Sequence, residues 1–207
     1  MLGDHLRIAS FALAGFLVFA LAVPREAPGT VAEQRARLPP PAECKDPVIG
    51  LWKSHHYSIY LEQWTEFSLA IRRVPGTTED LQGVIYNHSW VGGEEEVQPG
   101  PCVGKFRYKV SMDARGFARE RYIEFWGVDP WRLDQVLCGQ RDMGYNLDHF
   151  SGEIDPELQE FQSVNNDGGS AVNEPTVFRR IKCFDESSTG PGEVEPPPFQ
   201  PPSRGCW

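Results

Sequence analysis

The chain has 207 residues, with 20 Lys and Arg against 29 Asp and Glu, a net charge of −9; it is 40% apolar and carries 20 Gly, 18 Pro and 5 Cys. These figures exclude collagen-like, coiled-coil and polytopic membrane chains. They also count against a nucleic-acid partner, because meeting phosphates takes clustered Lys and Arg.

The first element is an apolar run from Ile8 to Val23, broken only by Ser10 and Gly15. Arg7 precedes it and Ala20-Leu21-Ala22 closes it. That order is the layout of a secretory signal, with cleavage expected after Ala22. The run is shorter than the roughly 20 apolar residues of a spanning helix, and Pro24 follows it. The alternative is an uncleaved anchor over residues 8–23, in which case the protein meets a membrane. Loss of residues 1–22 removes one acid, Asp4, and one base, Arg7, so the net charge stays at −9. The acidity belongs to the remaining chain and disfavours anionic surfaces. Residues 23–43 show no apolar period, and Pro39-Pro40-Pro41 predicts a stiff, extended spacer.

Residues 44–184 read as one domain of ordinary size. Their apolar period is two. Gly50-Leu51-Trp52 opens a first strand expected to run to Tyr60. Phe67, Leu69 and Ile71 alternate with Ser68, Ala70 and Arg72, and Val74-Pro75-Gly76-Thr77 ends that strand. Leu81 to Trp90 follows, with Tyr86, His88 and Trp90 on one side. Phe106, Tyr108, Val110 and Met112 share one face of the next strand, opposite Lys105, Arg107, Lys109 and Ser111. Asp113 to Gly116 predicts a turn, with Tyr122 to Trp126 returning. Trp131 to Cys138, Leu147 to Asp155 and Leu158 to Val164 are further strands, then a loop at Asn165 to Gly169, then a last strand through Val177, Phe178 and Ile181. The expectation is an all-β antiparallel barrel or sandwich of about eight to nine strands without a major helix. Residues 185–207 are a Pro-rich tail, expected to be disordered like the first arm; Phe199, Cys206 and Trp207 suggest that its end is pinned to the body.

The five cysteines, Cys44, Cys102, Cys138, Cys183 and Cys206, all follow the apolar run. An exported chain can oxidise them, and their spacing suits no zinc site. Cys44 enters the domain and Cys183 leaves it, so a bridge between them closes it. Cys102 and Cys138 border strands and form a second candidate pair. Cys206 is then left over or competes with Cys44 for Cys183.

Gly50-Leu51-Trp52 resembles the Gly-x-Trp motif that opens the lipocalins and related calycin barrels. Phe178-Arg179-Arg180-Ile181 is similar to the last-strand position where that family sets an Arg over the Trp. The resemblance implies an up-and-down barrel able to hold a small apolar ligand. It also implies a structural role for Trp52 with Arg179 or Arg180 at the closed end.

Chemistry is harder to find. His55 and His56 are adjacent, so on a strand they point to opposite faces and do not share a metal. Asn165-Asn166-Asp167-Gly168-Gly169 lacks the spaced acids of a calcium loop and reads as a hairpin. Asn87-His88-Ser89 fits a glycosylation triplet but sits within a strand. No nucleophile elbow and no phosphate-cradling loop occurs. The aromatic residues make up 12% of the chain. They pack a core or line a pocket, and Tyr86, His88, Trp90 and Trp126 are the candidate ligand contacts.

The expected function is a secreted, extracytoplasmic, non-enzymatic β domain that binds a small apolar or aromatic ligand without a cofactor. One alternative is a structural or interaction module tethered by the N-terminal anchor. Another is a hydrolase using dispersed groups such as His88, Asp148 and His149.

Overall fold

The structure, a computed structural model, describes residues 30–100, 106–138, 144–169 and 171–184, with the side chains of 136–138 outside that description. The first 29 residues, the C-terminal tail, Cys102 and Cys206 therefore lie outside the described residues, as does the Cys138 side chain.

Period-two patterning produces nine strands: β1 (Gly50–Lys53), β2 (His56–Ser58), β3 (Gln63–Arg73), β4 (Asp80–Val91), β5 (Arg107–Arg119), β6 (Tyr122–Cys138), β7 (His149–Asp155), β8 (Glu160–Asn166) and β9 (Val172–Lys182). From β2 to β9 each strand pairs antiparallel with the next. β1 pairs with both β3 and β9, which closes the sheet. β1 and β2 lie end to end along β3 in a single register, Lys53 opposite Ser68 and His56 opposite Thr65. The protein is thus a closed, eight-stranded, up-and-down antiparallel barrel with β2 as one extra piece of strand. Closure removes the open sheet edges that invite aggregation.

Two strand expectations need correction. The segment from Asp113 to Gly116 is not a turn, because β5 runs on to Arg119 and turns at Glu120-Arg121, with Glu120 at φ 53°. Gly116 is used instead for close approach: a Cβ there would lie 2.2 Å from the Glu124 carbonyl and 2.8 Å from the Phe125 ring. Likewise Tyr122 to Trp126 and Trp131 to Cys138 are one strand, β6. Asp129 and the cis-linked Pro130 form a bulge between Val128 opposite Asp113 and Trp131 opposite Met112, where a residue without an N–H costs no ladder bond.

A third correction concerns the spacer. Val31–Arg37 forms a helix, α1, capped by Thr30, whose hydroxyl accepts from the Glu33 N–H. β1 pairs with β9, but β2 does not, so part of the β9 edge needs other partners. The buried Gln34 side chain supplies them. Its amide donates to the Pro175 carbonyl at 2.8 Å, and its carbonyl accepts from the Val177 N–H at 3.0 Å. The same amide nitrogen stands 3.1 Å from His56 Nδ1. One side chain thereby replaces a stretch of backbone pairing. Arg35 and Arg179 both engage the fully buried Glu160, at 2.8 and 2.6 Å. Arg179 also reaches the Leu38 and Pro39 carbonyls. The helix is held by polar groups, so it leaves no apolar stripe in the sequence.

Inward side chains fill one end of the barrel. Leu69, Ile71, Leu81, Ile123, Phe125, Ile154, Phe161 and Phe178 are buried there around Trp52. The Arg180 guanidinium, 1% exposed, lies 5.2 Å from the Trp52 ring centroid. It donates to the Asp46 carbonyl and to the Gln159 side chain. The Trp52 indole donates to the Val48 carbonyl at 2.8 Å. The two adjacent arginines therefore divide: Arg180 seals the inside, and Arg179 holds α1 from outside. Cys44 and Cys183 are disulfide-bonded across 139 residues, beside the β1–β9 closure. Among the described residues no helix is long and apolar enough to cross a membrane.

Candidate functional site

Along β3, β4, β5, β8 and β9 the same inward parity continues past the filled end, but there the side chains become small and polar: Thr65, Asn87, Asn165 and Thr176. They cannot fill the space, and a cavity of about 660 Å³ opens at this end. Phe67 and Tyr108, which belong to the core, form its floor. Phe106 and Tyr145 add aromatic wall, while Tyr60, Leu61 and Val172 stand at its rim. The volume suits a small organic molecule.

Four wall residues from three parts of the chain, with Ser89 beside Asn87, form one network. The Tyr145 hydroxyl donates to Asp148 Oδ2 at 2.6 Å and accepts from the Asn87 amide at 2.7 Å. The Asn165 amide donates to Asp148 Oδ1 at 3.1 Å, and Ser89 donates to the Asn87 carbonyl oxygen at 2.7 Å. Such a network fixes each rotamer. Burial pushes the Asp148 carboxyl up from its ordinary 3.8 to about 7, against the lowering effect of its two donors. Burial and the neighbouring Asp148 also raise the Tyr145 hydroxyl well above its ordinary value. Across the cavity, His56 Nε2 lies 2.7 Å from Glu174.

The sign of the Asp148 shift gives a stability prediction. Its folded form holds the proton more tightly than the unfolded chain. The group therefore costs stability progressively as pH rises from about 4, and the cost is complete above about 7. Asp148→Asn removes this dependence. Relative to the wild type, the variant is expected to gain about 2–3 kcal/mol between about pH 5 and pH 8. Urea unfolding at both pH values checks it; a difference independent of pH overturns it.

The sequence-level candidates fall elsewhere. Tyr86, His88 and Trp90 lie on the outer wall, opposite in parity to the inward Ile85, Asn87 and Ser89. Trp90 stacks on Trp64 at 6.2 Å, and the loop after β4 covers both. The Gly93 carbonyl accepts the Trp64 indole, and the Glu96 carbonyl accepts that of Trp90. His88 accepts from Arg107 at 3.0 Å, and burial with that neighbouring charge lowers its pKa to about 3. Trp126 is also outward, beside His149 in a shallow outer depression. The barrel thus brings none of these four into its interior.

The hydrolase candidates separate in the same way. Asp148 faces in, whereas His149 points out to Glu124 at 2.9 Å, and His88 lies on the outer wall. His55 packs on Trp64 outside, while His56 faces the cavity. Asn87 of the glycosylation triplet is 5% exposed and turned inward, so no glycan fits there. Asp167 closes its loop by accepting from the Gly169 and Ala171 N–H groups. Among the described residues, no group of three or more His, Cys, Asp and Glu is placed to hold a metal. Asn87 and Asn165, which the sequence offers only as part of a glycosylation triplet and of a hairpin loop, line the cavity together with Tyr145, which no motif marks. Asn165 lies in β8 and not in the expected loop, and Asn87 sits on the face of β4 opposite Tyr86, His88 and Trp90, so no local pattern marked either as inward.

Comparisons with protein-family models, with curated proteins and with solved structures give no match to this chain.

Proposed function

We propose that the chain is an extracytoplasmic, non-enzymatic barrel that binds a small ligand in its open end. The observation that carries this reading is the division of the interior: one end packed solid around Trp52, the other hollow and lined by a fixed polar network over an aromatic floor. A barrel built only for stability fills both ends, because each empty volume forfeits packing energy. The Cys44–Cys183 bond is compatible with export to an oxidising compartment. Gly50-Leu51-Trp52 with Arg180 over Trp52, in a barrel of eight strands, supports a lipocalin-like reading.

Nile red, a neutral aromatic dye, tests the cavity. Saturable binding at one dye per chain is expected. Ala171→Trp, at the rim, should weaken it at least about tenfold while leaving the circular-dichroism spectrum intact. Absence of saturable binding to the unaltered chain would exclude the reading.

A further inference from the structure

The charge of the cavity wall points to a ligand class, given the ligand-binding role proposed above. Among the described residues, the wall includes three carboxyl groups, Asp148, Asp167 and Glu174, and no Lys or Arg. Two of these acids have evident duties within the fold. Glu174 faces the basic side chain of His56, and Asp167 holds its own loop.

Asp148 differs. It is 3% exposed, and both its hydrogen-bond donors, Tyr145 and Asn165, are neutral. The charge of Asp167, which has the same sign, also acts on it. Among the described residues no cation forms an ion pair with it. A buried carboxylate without a counter-charge is costly. A fold that keeps one at the wall of a cavity, with both oxygens held in place, leaves room for the missing charge to come from outside. The surroundings suit a cation on an apolar body. Phe106 packs on Tyr108 with centroids 5.0 Å apart, and Tyr108 meets Tyr145 edge-on at 6.3 Å. Aromatic faces attract cations and cover apolar groups.

We infer that the cavity takes a protonated amine carried on an aromatic or aliphatic body, with the ammonium group at Asp148 and the body against Phe67, Phe106 and Tyr108. The binding is non-covalent. The charge pair forms where the free protein held a proton or an unmatched charge.

Three probes of one size separate the charges: phenethylamine, phenethyl alcohol and hydrocinnamate. Titration calorimetry of the full chain at about pH 8 and about 0.15 M salt limits the pull of the overall negative charge. The amine is expected to bind at least about tenfold more tightly than the alcohol, and the carboxylate most weakly. Asp148→Asn should bring the amine down to the level of the alcohol measured on the same variant. Equal binding of amine and alcohol to the unaltered chain overturns the amine inference and leaves the cavity standing. An amine preference that survives Asp148→Asn also overturns it. Binding of none of the three overturns both the inference and the ligand-binding reading.

Discussion

Replacing Cys44 and Cys183 together by Ser is expected to lower the unfolding free energy by about 5 kcal/mol, the size set by the length of chain the bond ties off. The bridge spans 139 residues, nearly the whole described domain. In the reduced chain all of that length is free to expand when unfolded. The bond also stands beside the narrowest part of the closure. β1 meets β9 through three residue pairs, Leu51 with Lys182, Trp52 with Arg180 and Lys53 with Arg179, with a register shift among them. A seam so short recovers little of the entropy of bringing distant segments together. Urea unfolding of the double variant measures the loss, and a larger denaturant slope is expected as the unfolded state expands. The double substitution leaves the other cysteines untouched, which a reductant does not. A loss below about 1 kcal/mol would show that β1–β9 pairing holds the barrel closed by itself.

Trp52→Ala is expected to cost about 4 kcal/mol. The side chain is fully buried among Val48, Phe161 and Arg180, and its indole satisfies the Val48 carbonyl. Truncation leaves a void at the closed end and uncovers the Arg180 guanidinium, which the fold buries at 1% exposure. Trp52→Phe keeps much of the volume and loses the hydrogen bond, so a cost of about 1–2 kcal/mol is expected. Arg180→Lys removes the planar fork that spans the Asp46 carbonyl and Gln159. In a double-mutant cycle of Arg180→Met with Trp52→Leu, which removes the cation and the ring in turn, a coupling of about 0.5–2 kcal/mol is expected from the cation over the ring. Independent, additive losses would mean that the two residues merely lie close together.

The bridge was legible from the positions of the cysteines, whereas the contact of Trp52 with an arginine was legible only through the resemblance to the lipocalin motif, which left Arg179 and Arg180 as alternatives. Gly50-Leu51-Trp52 and Arg179-Arg180 flank the domain, as Cys44 and Cys183 do, and closing a barrel brings first and last strands together. The alternation of Phe67, Leu69 and Ile71 and of Tyr108, Val110 and Met112 identified inward faces correctly, because their opposite faces are polar or small. In β4 both faces carry large apolar groups: Leu81 and Ile85 on one, Val84, Tyr86 and Trp90 on the other. A period of two separates the faces there without saying which is inside. The loop after β4 made the difference by folding over Trp64 and Trp90 and shielding them from water on the outer wall.

The sequence by itself determined the class of this protein: alternating side chains, turns rich in Gly, Pro, Asn and Asp, and ends able to pair. Those are local properties, written within a few neighbouring residues. Only the tertiary structure decided where the hollow lies and what lines it. Asn87, Tyr145, Asp148 and Asn165 come from β4, the segment before β7, and β8, and they meet because the sheet closes and the small inward residues leave space. Gln34 likewise acquires its role only when β9 offers it an unpaired edge. Convergence of residues far apart in the chain depends on register and closure, and no window of sequence contains either.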